Sequence, residues 1–211
     1  MQKPTDEVRA TFAQGPGGVS MRIRYLMASL ALILVASVTP ATANDFEPQL
    51  KAYLEEATWI QDPAVVAAIE AQNAKHAGLA DADIDALDKK WRAEKDSGSG
   101  PMIAEVLGND LSKWLMQIKE DSNGLIAEVF VMDNKGLNVG QSDPTSDYWQ
   151  GDEAKFQQSF GAGPDGVLID EVEFDDSSES FISQVSRTIN DASGNPIGAV
   201  TIGINVENLG N

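Results

Sequence analysis

The 211-residue sequence contains no cysteine and only one histidine, His76. It therefore has no disulfide, no thiol nucleophile and no second histidine for a metal site. Beyond Val38, no apolar run approaches the roughly 20 residues that a membrane-crossing helix needs. The sequence also lacks a Gly-x-Ser-x-Gly elbow, a phosphate-binding loop and a dinucleotide fingerprint. These absences favour a protein that is not an enzyme and that holds no cofactor.

Positive charge is scarce as well, since 33 acidic residues stand against 15 basic ones and the net charge is −18. Such a protein is repelled by nucleic acid and by anionic membrane surfaces, so neither is predicted as a partner. Two explanations of the acidity stay open. It can serve solubility, or it can attract cationic ligands or divalent ions.

Residues 21–43 have the pattern of a secretory signal peptide. Met21 is followed by two arginines, an apolar run from Leu26 to Val38 and the small-residue site Ala41-Thr42-Ala43. Because the apolar run is short for a membrane anchor, we predict cleavage after Ala43 and a periplasmic or secreted product with no stable membrane insertion. Residues 1–20 precede this pattern and are predicted to be a non-native upstream extension.

Residues 44–124 are predicted to be helical. Asp45 is the predicted N-cap of a first helix, and Asp62-Pro63 starts a second one that Gly78 ends. A third helix is predicted over "DADIDALDKKWRAEK". Helix then resumes at Pro101 and presents the strongest amphipathic face of the protein, which is formed by Leu111, Trp114, Leu115 and Ile118.

The sequence changes from helical to β-rich at Ser122-Asn123-Gly124. Five strands are predicted, at "LIAEVFVMD", "LNVGQS", "GVLIDEVEF", "ESFISQVSRTI" and "IGAVTIGINV". A short helix and a loop separate the second strand from the third. Because short turns join most of the strands, residues 125–207 should form an antiparallel sheet with the helices packed on one side, an α+β fold.

Two hairpins resemble the Cache superfamily, the extracytoplasmic PAS-like (PDC) sensor domains of bacteria. One is "VFVMDNKGLNVGQS", which precedes the aromatic pair Tyr148-Trp149, and the other is "RTINDASGNPIGAVTIGI". The resemblance implies a single-Cache domain whose sheet and covering loops enclose a pocket for an amino acid, a carboxylate or an amine. It also implies a five-stranded PAS-like sheet.

Tyr148 and Trp149 are the first candidate ligand-binding residues. Successive side chains cannot point the same way in a strand or a helix, so one ring should face the sheet. Trp149 can fill the core, or one or both rings can wall a pocket. Asp147 beside them is either a solvated helix cap or a polar contact to the ligand.

Arg187 and Asp170 are the second pair of candidates. Strict alternation places Arg187 on the core face of its strand with Val185 and Ile189, and it places Asp170 on the core face of the preceding strand. A charge in that position needs a partner. The two residues can pair with each other, or Arg187 can grip a ligand carboxylate while Asp170 meets an ammonium group.

Metal sites are not predicted. "DADID" begins like an EF-hand loop, but Ala86 and Arg92 occupy the positions that require glycine and glutamate. The acidic stretch from Asp170 to Ser180 is predicted to be a solvated turn, with weak calcium binding as the alternative. His76 is explained by a favourable interaction with the C-terminus of its helix.

The sequence thus predicts a periplasmic, non-catalytic Cache-like sensor domain that binds a small polar metabolite between Tyr148, Trp149, Asp147, Asp170 and Arg187. It would act through a membrane receptor or as a homodimer. The alternative is an acidic exported interaction protein, or a divalent-cation sensor, without an organic ligand.

Overall fold

The computed structural model describes residues 44–176 and 178–210. The predicted signal peptide, its cleavage site and the upstream extension lie outside these residues. Within them, none of the helices combines the length and the apolar composition that crossing a membrane requires.

The described residues form six α-helices, five of which precede the sheet along the chain. Four short turns or capped breaks separate these five helices, and the sixth lies between the second and third strands. The helices are α1 (Glu47–Glu56), α2 (Pro63–His76), α3 (Asp81–Asp96), α4 (Pro101–Gly108), α5 (Asp110–Asp121) and α6 (Ala154–Gln157).

The described residues also form one five-stranded antiparallel sheet, which confirms the predicted α+β fold. Its strands are β1 (Ile126–Asp133), β2 (Asn138–Gln141), β3 (Val167–Asp175), β4 (Ser180–Asn190) and β5 (Pro196–Asn205). Their order across the sheet is β2-β1-β5-β4-β3, so β2 and β3 are the two edges. This order decides which of the candidate residues can meet.

One face of the sheet carries the main hydrophobic core. Val129 and Val131 of β1 point to this face and pack against α1, α2 and α5. The helices contribute their apolar stripes, with Leu50, Ile69 and Leu115 fully buried. Burial of this kind, about 1.5–3 kcal/mol for each large aliphatic side chain, is the main force that holds the helical layer on the sheet.

The opposite face of the sheet is partly polar. Phe130 and Met132 alternate with the two valines of β1 and pack here with Phe156 of α6. Beside them, the buried hydroxyls of Ser186 and Thr201 form a hydrogen bond of 2.9 Å. The face is therefore built of a small apolar cluster and a wider area with hydrogen-bonding groups.

Two helix boundaries differ from those predicted. The N-cap of α1 is Phe46 rather than Asp45, and the amide of Phe46 donates to Asn44 Oδ1 at 3.0 Å. The predicted single stretch after Pro101 is two helices, because Asn109 has an extended backbone and its side chain accepts from Ser112 N at 2.8 Å. An asparagine in this geometry caps a new helix.

His76 lies at the end of α2, as expected, but its interaction is with the sheet. Its Nδ1 lies 2.8 Å from Oδ2 of Asp133, and both side chains are buried. Asp133 Oδ1 accepts from the amides of Lys135 and Leu137, so the same carboxylate closes the turn between β1 and β2. Gln72 of α2 also donates to Asp133 Oδ2, at 3.1 Å.

Candidate functional site

The segment 143–155, which follows β2, folds back along the start of that strand. Leu137 and Trp149 form an isolated antiparallel bridge, and Gln150 N donates to Gly136 O at 2.8 Å. Gly136 has a φ of 80°, and a Cβ there would lie 2.6 Å from the Cα of Gly151. Only glycine satisfies both conditions, so this close approach fixes the path of the segment.

The two rings of the segment point away from the sheet, towards α3 and α4. Tyr148 is 5% exposed and stacks on Trp91 with 5.5 Å between ring centroids. Burial raises the pKa of its phenol. Trp149 is partly buried, and its Nε1 donates to Lys135 O at 2.8 Å. Tyr148, rather than Trp149, is the ring that fills a core.

Asp88 of α3 holds the segment by its backbone. Its Oδ1 accepts from the amides of Tyr148 at 2.9 Å and Trp149 at 3.1 Å, and its Oδ2 accepts from Arg92 Nε at 2.7 Å. Arg92 Nη1 in turn lies 2.9 Å from Asp147 Oδ1. Asp147 is not a helix cap, which was one of its two predicted roles, because the next helix, α6, begins only at Ala154. Its carboxylate pairs with Arg92 instead.

A groove of about 590 Å³ separates α3 from the segment, and Trp149 lines it. We call it the helix-side groove. Ile84 contributes an apolar wall, and Asp85, Lys89 and Arg92 stand on the same helix. Of the residues predicted to bind a ligand, this groove contains only Trp149.

Asp170 and Arg187 lie near the other edge of the sheet, so the structure does not bring them to the two rings. They also do not meet each other. Arg187 is half-buried and donates from Nη1 to Leu54 O at 3.2 Å. Asp170 is exposed, and its carbonyl accepts from Asn44 and Ser183. A single pocket bounded by all the predicted residues is thus absent from the described part of the chain.

The reason is that the alternation along β3 was assigned to the wrong face. Ile169 lies opposite Val185 and packs against the main core, so Leu168 and Asp170, which alternate with Ile169, belong to the other face of the strand. Arg187 lies opposite Val167. The carbonyl of Asp170 accepts a hydrogen bond from Ser183, which is four residues away from Arg187 along β4. The two side chains therefore occupy different levels of the sheet.

A second groove lies on the partly polar face of the sheet, with a volume of about 510 Å³. We call it the sheet-face groove. Its floor is β1 and β4, and the segment 143–155 forms one wall. The side chains that line it include Lys95, Lys119, Glu128, Phe130, Asp143, Thr145, Gln150, Lys155 and Gln184.

Three lysines from different elements converge on the sheet-face groove. Lys119 of α5 lies 2.7 Å from Asp143 Oδ2. Lys155 of α6 pairs with Glu153 at 2.9 Å and stands over the Phe130 ring, 5.5 Å from its centroid. Lys95, in the last turn of α3, donates to the carbonyl of Pro144.

Glu128 in the floor of the groove is the main acidic group there. Gln184 Nε2 donates to its Oε1 at 2.7 Å. Burial raises the pKa of Glu128, and the bond from Gln184 opposes that shift only in part. A carboxyl group with a raised pKa can accept a hydrogen bond when ionised and donate one when protonated, and such groups concentrate at functional sites.

These residues differ in how far the sequence alone could have predicted them. Glu128 interrupts an apolar strand, and a charge at such a position is a visible signal. The three lysines are far apart in sequence, and only the fold brings them to one groove. The bond of Asp88 to the segment spans 60 residues and has no local pattern.

Metal binding finds no support in residues 44–176 and 178–210, which contain no group of three or more histidines and carboxylates arranged to hold an ion. In the acidic hairpin, Asp175 Oδ2 accepts from the amide of Ser178 at 2.8 Å and from its hydroxyl at 2.6 Å. The hairpin is thus closed by its own side chains.

No family model and no curated protein matches the chain. Among solved structures, it is similar to the sensor domain of the V. cholerae histidine kinase DctB, with 13% identity and a TM-score of 0.40 over 78% of this chain and 53% of that one. A second is the ligand-binding domain of the Campylobacter jejuni chemoreceptor Tlp3 in complex with 4-methylisoleucine, with 16% identity and a TM-score of 0.37 over 78% and 61%.

The E. coli DcuS sensor domain is a third, with 18% identity and a TM-score of 0.34 over 59% of this chain and 92% of that one. This chain spans between about half and two thirds of the length of the DctB and Tlp3 domains. By name, these three structures are sensor or ligand-binding domains.

Proposed function

We propose that this protein is an exported, non-catalytic sensor domain that binds a small polar metabolite in the sheet-face groove. The observation that carries the proposal is the convergence of Lys95, Lys119 and Lys155 around Glu128, whose pKa is raised by burial. Titratable groups of both signs, gathered in a cleft with one perturbed pKa, are a typical basis for ligand recognition.

The sheet-face groove repels ligands that carry a carboxylate less than the rest of the chain does. The whole chain has a net charge of −18 and repels anions. In the groove, however, three lysines match the three carboxylates of Glu128, Asp143 and Asp175. A carboxylate or a zwitterion therefore meets its opposite charges here, and an amino group can reach the acidic side of the same groove.

The construction of the groove also favours a site over an incidental cleft. Its volume of about 510 Å³ lies in the range of roughly 300–1,000 Å³ that small-molecule sites occupy. The floor consists of central and paired strands, and the wall formed by segment 143–155 is fixed by Asp88 and by the bridge to Leu137. A ligand thus enters a site that needs little ordering on binding.

The signal-peptide pattern of residues 21–43 supports placing this function in the periplasm or outside the cell. There the bound state would be passed to a membrane receptor or to a second copy of the chain. Trp149 remains a candidate contact in the helix-side groove. Asp170, Arg187 and Tyr148 are no longer candidates for the same pocket, because they lie on other elements or inside a core.

Thermal unfolding in the presence of amino acids, organic acids and amines tests the proposal. A ligand at 100 times its dissociation constant adds about 2.7 kcal/mol to the free energy of unfolding. For a ligand that gives such a shift, Lys155→Gln and Lys119→Gln should each weaken binding by about tenfold or more, as expected when one partner of a charge-assisted hydrogen bond is lost.

Lys89→Gln is the matched control, because this exposed lysine lies in the helix-side groove and pairs only with Asp85 among its described contacts. It should leave binding unchanged. If Lys89→Gln and Trp149→Ala abolish binding while Lys155→Gln and Lys119→Gln do not, the ligand site is the helix-side groove. If none of the amino acids, organic acids and amines raised the unfolding temperature, the proposed function would be contradicted.

A further inference from the structure

The strand β3 lies at the edge of the sheet, and a shift in its pairing between Ile169 and Val172 divides it into two shorter stretches. It has nine residues, and within the described part of the chain it pairs with β4 alone. About half of the backbone N–H and C=O groups of such a strand point away from the sheet and can pair with another chain. The carbonyl of Asp170 is not among the available groups, because it already accepts from Asn44 Nδ2 and from Ser183 Oγ of β4, both at 2.7 Å.

Two aromatic side chains are exposed beside this edge. Phe174 of β3 is 54% exposed and Phe181 of β4 is 48% exposed, and their rings meet edge to face with centroids 5.3 Å apart. Val167 at the other end of β3 is 43% exposed. These three residues are the large hydrophobic side chains with the greatest exposure among the described residues. An exposed apolar pair along an open strand is typical of a protein interface.

The same strand is strongly acidic. Glu171 and Glu173 are exposed on β3, and Asp170 precedes them. Acidic side chains on an edge strand prevent that strand from pairing with its own copy. This makes a second copy of the chain a poor occupant, whereas a basic strand would be attracted by the edge.

A cleft of about 190 Å³ along the hairpin shows how a basic side chain would fit. Phe174 and Ile182 line it together with Glu171 and Glu173. The hydrocarbon stem of a lysine or arginine can lie against Ile182, which is opposite Glu173 in the hairpin, while its charged end reaches the carboxylates. The cleft therefore combines the two features by which long basic side chains are recognised.

We propose that the β3 edge binds an extended segment of a partner protein, rich in lysine or arginine, as a sixth strand of the sheet. Backbone hydrogen bonds along β3 supply the affinity. Glu171, Glu173 and the Phe174–Phe181 pair select a strand in which basic and apolar residues alternate. This surface is separate from the sheet-face groove, and its function does not depend on a ligand there.

The test uses a fluorescent peptide in which lysine alternates with valine over nine residues, the length of β3, and measures its binding to the protein by anisotropy. A second peptide of the same charge has proline in place of alternate valines, which removes strand pairing. The lysine–valine peptide should bind, and the proline peptide should bind at least about tenfold more weakly if backbone pairing supplies the affinity.

Two protein variants locate the binding surface. Glu171→Lys/Glu173→Lys should weaken the binding of the lysine–valine peptide by about tenfold or more, because like charges then face each other. The control, Glu70→Lys/Asp96→Lys, makes the same change in net charge at exposed positions of α2 and α3 and should have less than about a third of that effect. Phe174→Ser should also weaken binding. All five positions are exposed, and thermal unfolding confirms that each variant is folded.

Equal binding of the two peptides, or equal loss in the two charge-reversed variants, would overturn the proposal, since either result means non-specific attraction to an acidic protein. A failure of the lysine–valine peptide to bind the wild-type protein would overturn it as well. So would a dimer in sedimentation that Phe174→Ser dissociates, because the edge would then belong to a second copy.

Discussion

The two sides of segment 143–155 differ in almost every physical respect. On the side of α3 and α4, Tyr148 is buried in an apolar cluster and stacks on Trp91. On the side of the sheet, Thr145, Gln150 and Lys155 border an open, polar groove. The conspicuous rings of this segment are therefore its anchor. The chemistry suited to a ligand lies on the side without them.

Trp91→Ala removes the main support of the packed side and should have the largest effect. Trp91 is fully buried, and its Nε1 donates to Thr145 O at 2.9 Å. Truncation of a buried tryptophan costs about 3–5 kcal/mol of unfolding free energy, which urea denaturation measures. Trp149→Ala, at a partly exposed ring of the same cluster, should cost less. Equal costs would mean that the two rings share the anchoring role.

Asp88→Ala breaks the link between α3 and the segment backbone. The amides of Tyr148 and Trp149 lose their acceptor, and an unsatisfied buried donor costs about 1–3 kcal/mol. Urea denaturation measures this loss too. Asp85→Ala, one turn earlier in α3, removes an exposed carboxylate that pairs with Lys89 and should change stability by less than about 0.5 kcal/mol. A similar loss in both variants would contradict the anchoring role of Asp88.

Glu128→Gln tests the raised pKa in the sheet-face groove, because it should change how the free energy of unfolding depends on pH. The pKa of Glu128 is raised above its ordinary value of 4.5. The folded protein therefore holds this proton more tightly than the unfolded chain does, and stability falls as pH rises from 4.5 through the raised pKa. The variant lacks this contribution, so its stability relative to wild type should improve between about pH 4 and pH 7.

Urea denaturation at both pH values measures this difference. Glu70→Gln, a change at an exposed position of α2, is the control for general charge effects. An equal difference from wild type at both pH values would contradict the raised pKa of Glu128.

Ser146→Ala should have the smallest effect. Ser146 is exposed and lines the sheet-face groove, where it supports no packed neighbour. Its replacement should change the free energy of unfolding by less than about 0.5 kcal/mol. A loss of several times that amount would show that the segment is packed on both sides and would remove the contrast between them.

The sequence was sufficient for the order and type of the elements. Alternation and turn residues located all five strands, and Asp62 was correctly predicted to begin α2, where its side chain accepts from Ala64 N at 2.8 Å. These signals are local, so neighbouring residues determine them. The break at Asn109 was missed because the apolar spacing continues across it, and only the capping geometry shows that one helix ends there.

The candidate site was less predictable, because it depends on relations between distant residues. The alternation along β3 was assigned to the wrong face, because Ile169 rather than Leu168 packs against the core, and a single strand does not show which of its faces meets the helices. Asp147 was expected at a helix start, but its partner Arg92 comes from α3. The meeting of Lys119 and Lys155 at one groove depends on tertiary packing of α5 and α6 around the sheet.

The carboxylate of Asp133 has a consequence for the exchange of backbone amide hydrogens. It accepts from the amides of Lys135 and Leu137 in the first turn of the sheet and from His76 and Gln72 of α2. The turn and the helix thus share one acceptor. Deuterium uptake at these two amides should therefore follow the release of α2, and it should be slow for residues in so short a turn.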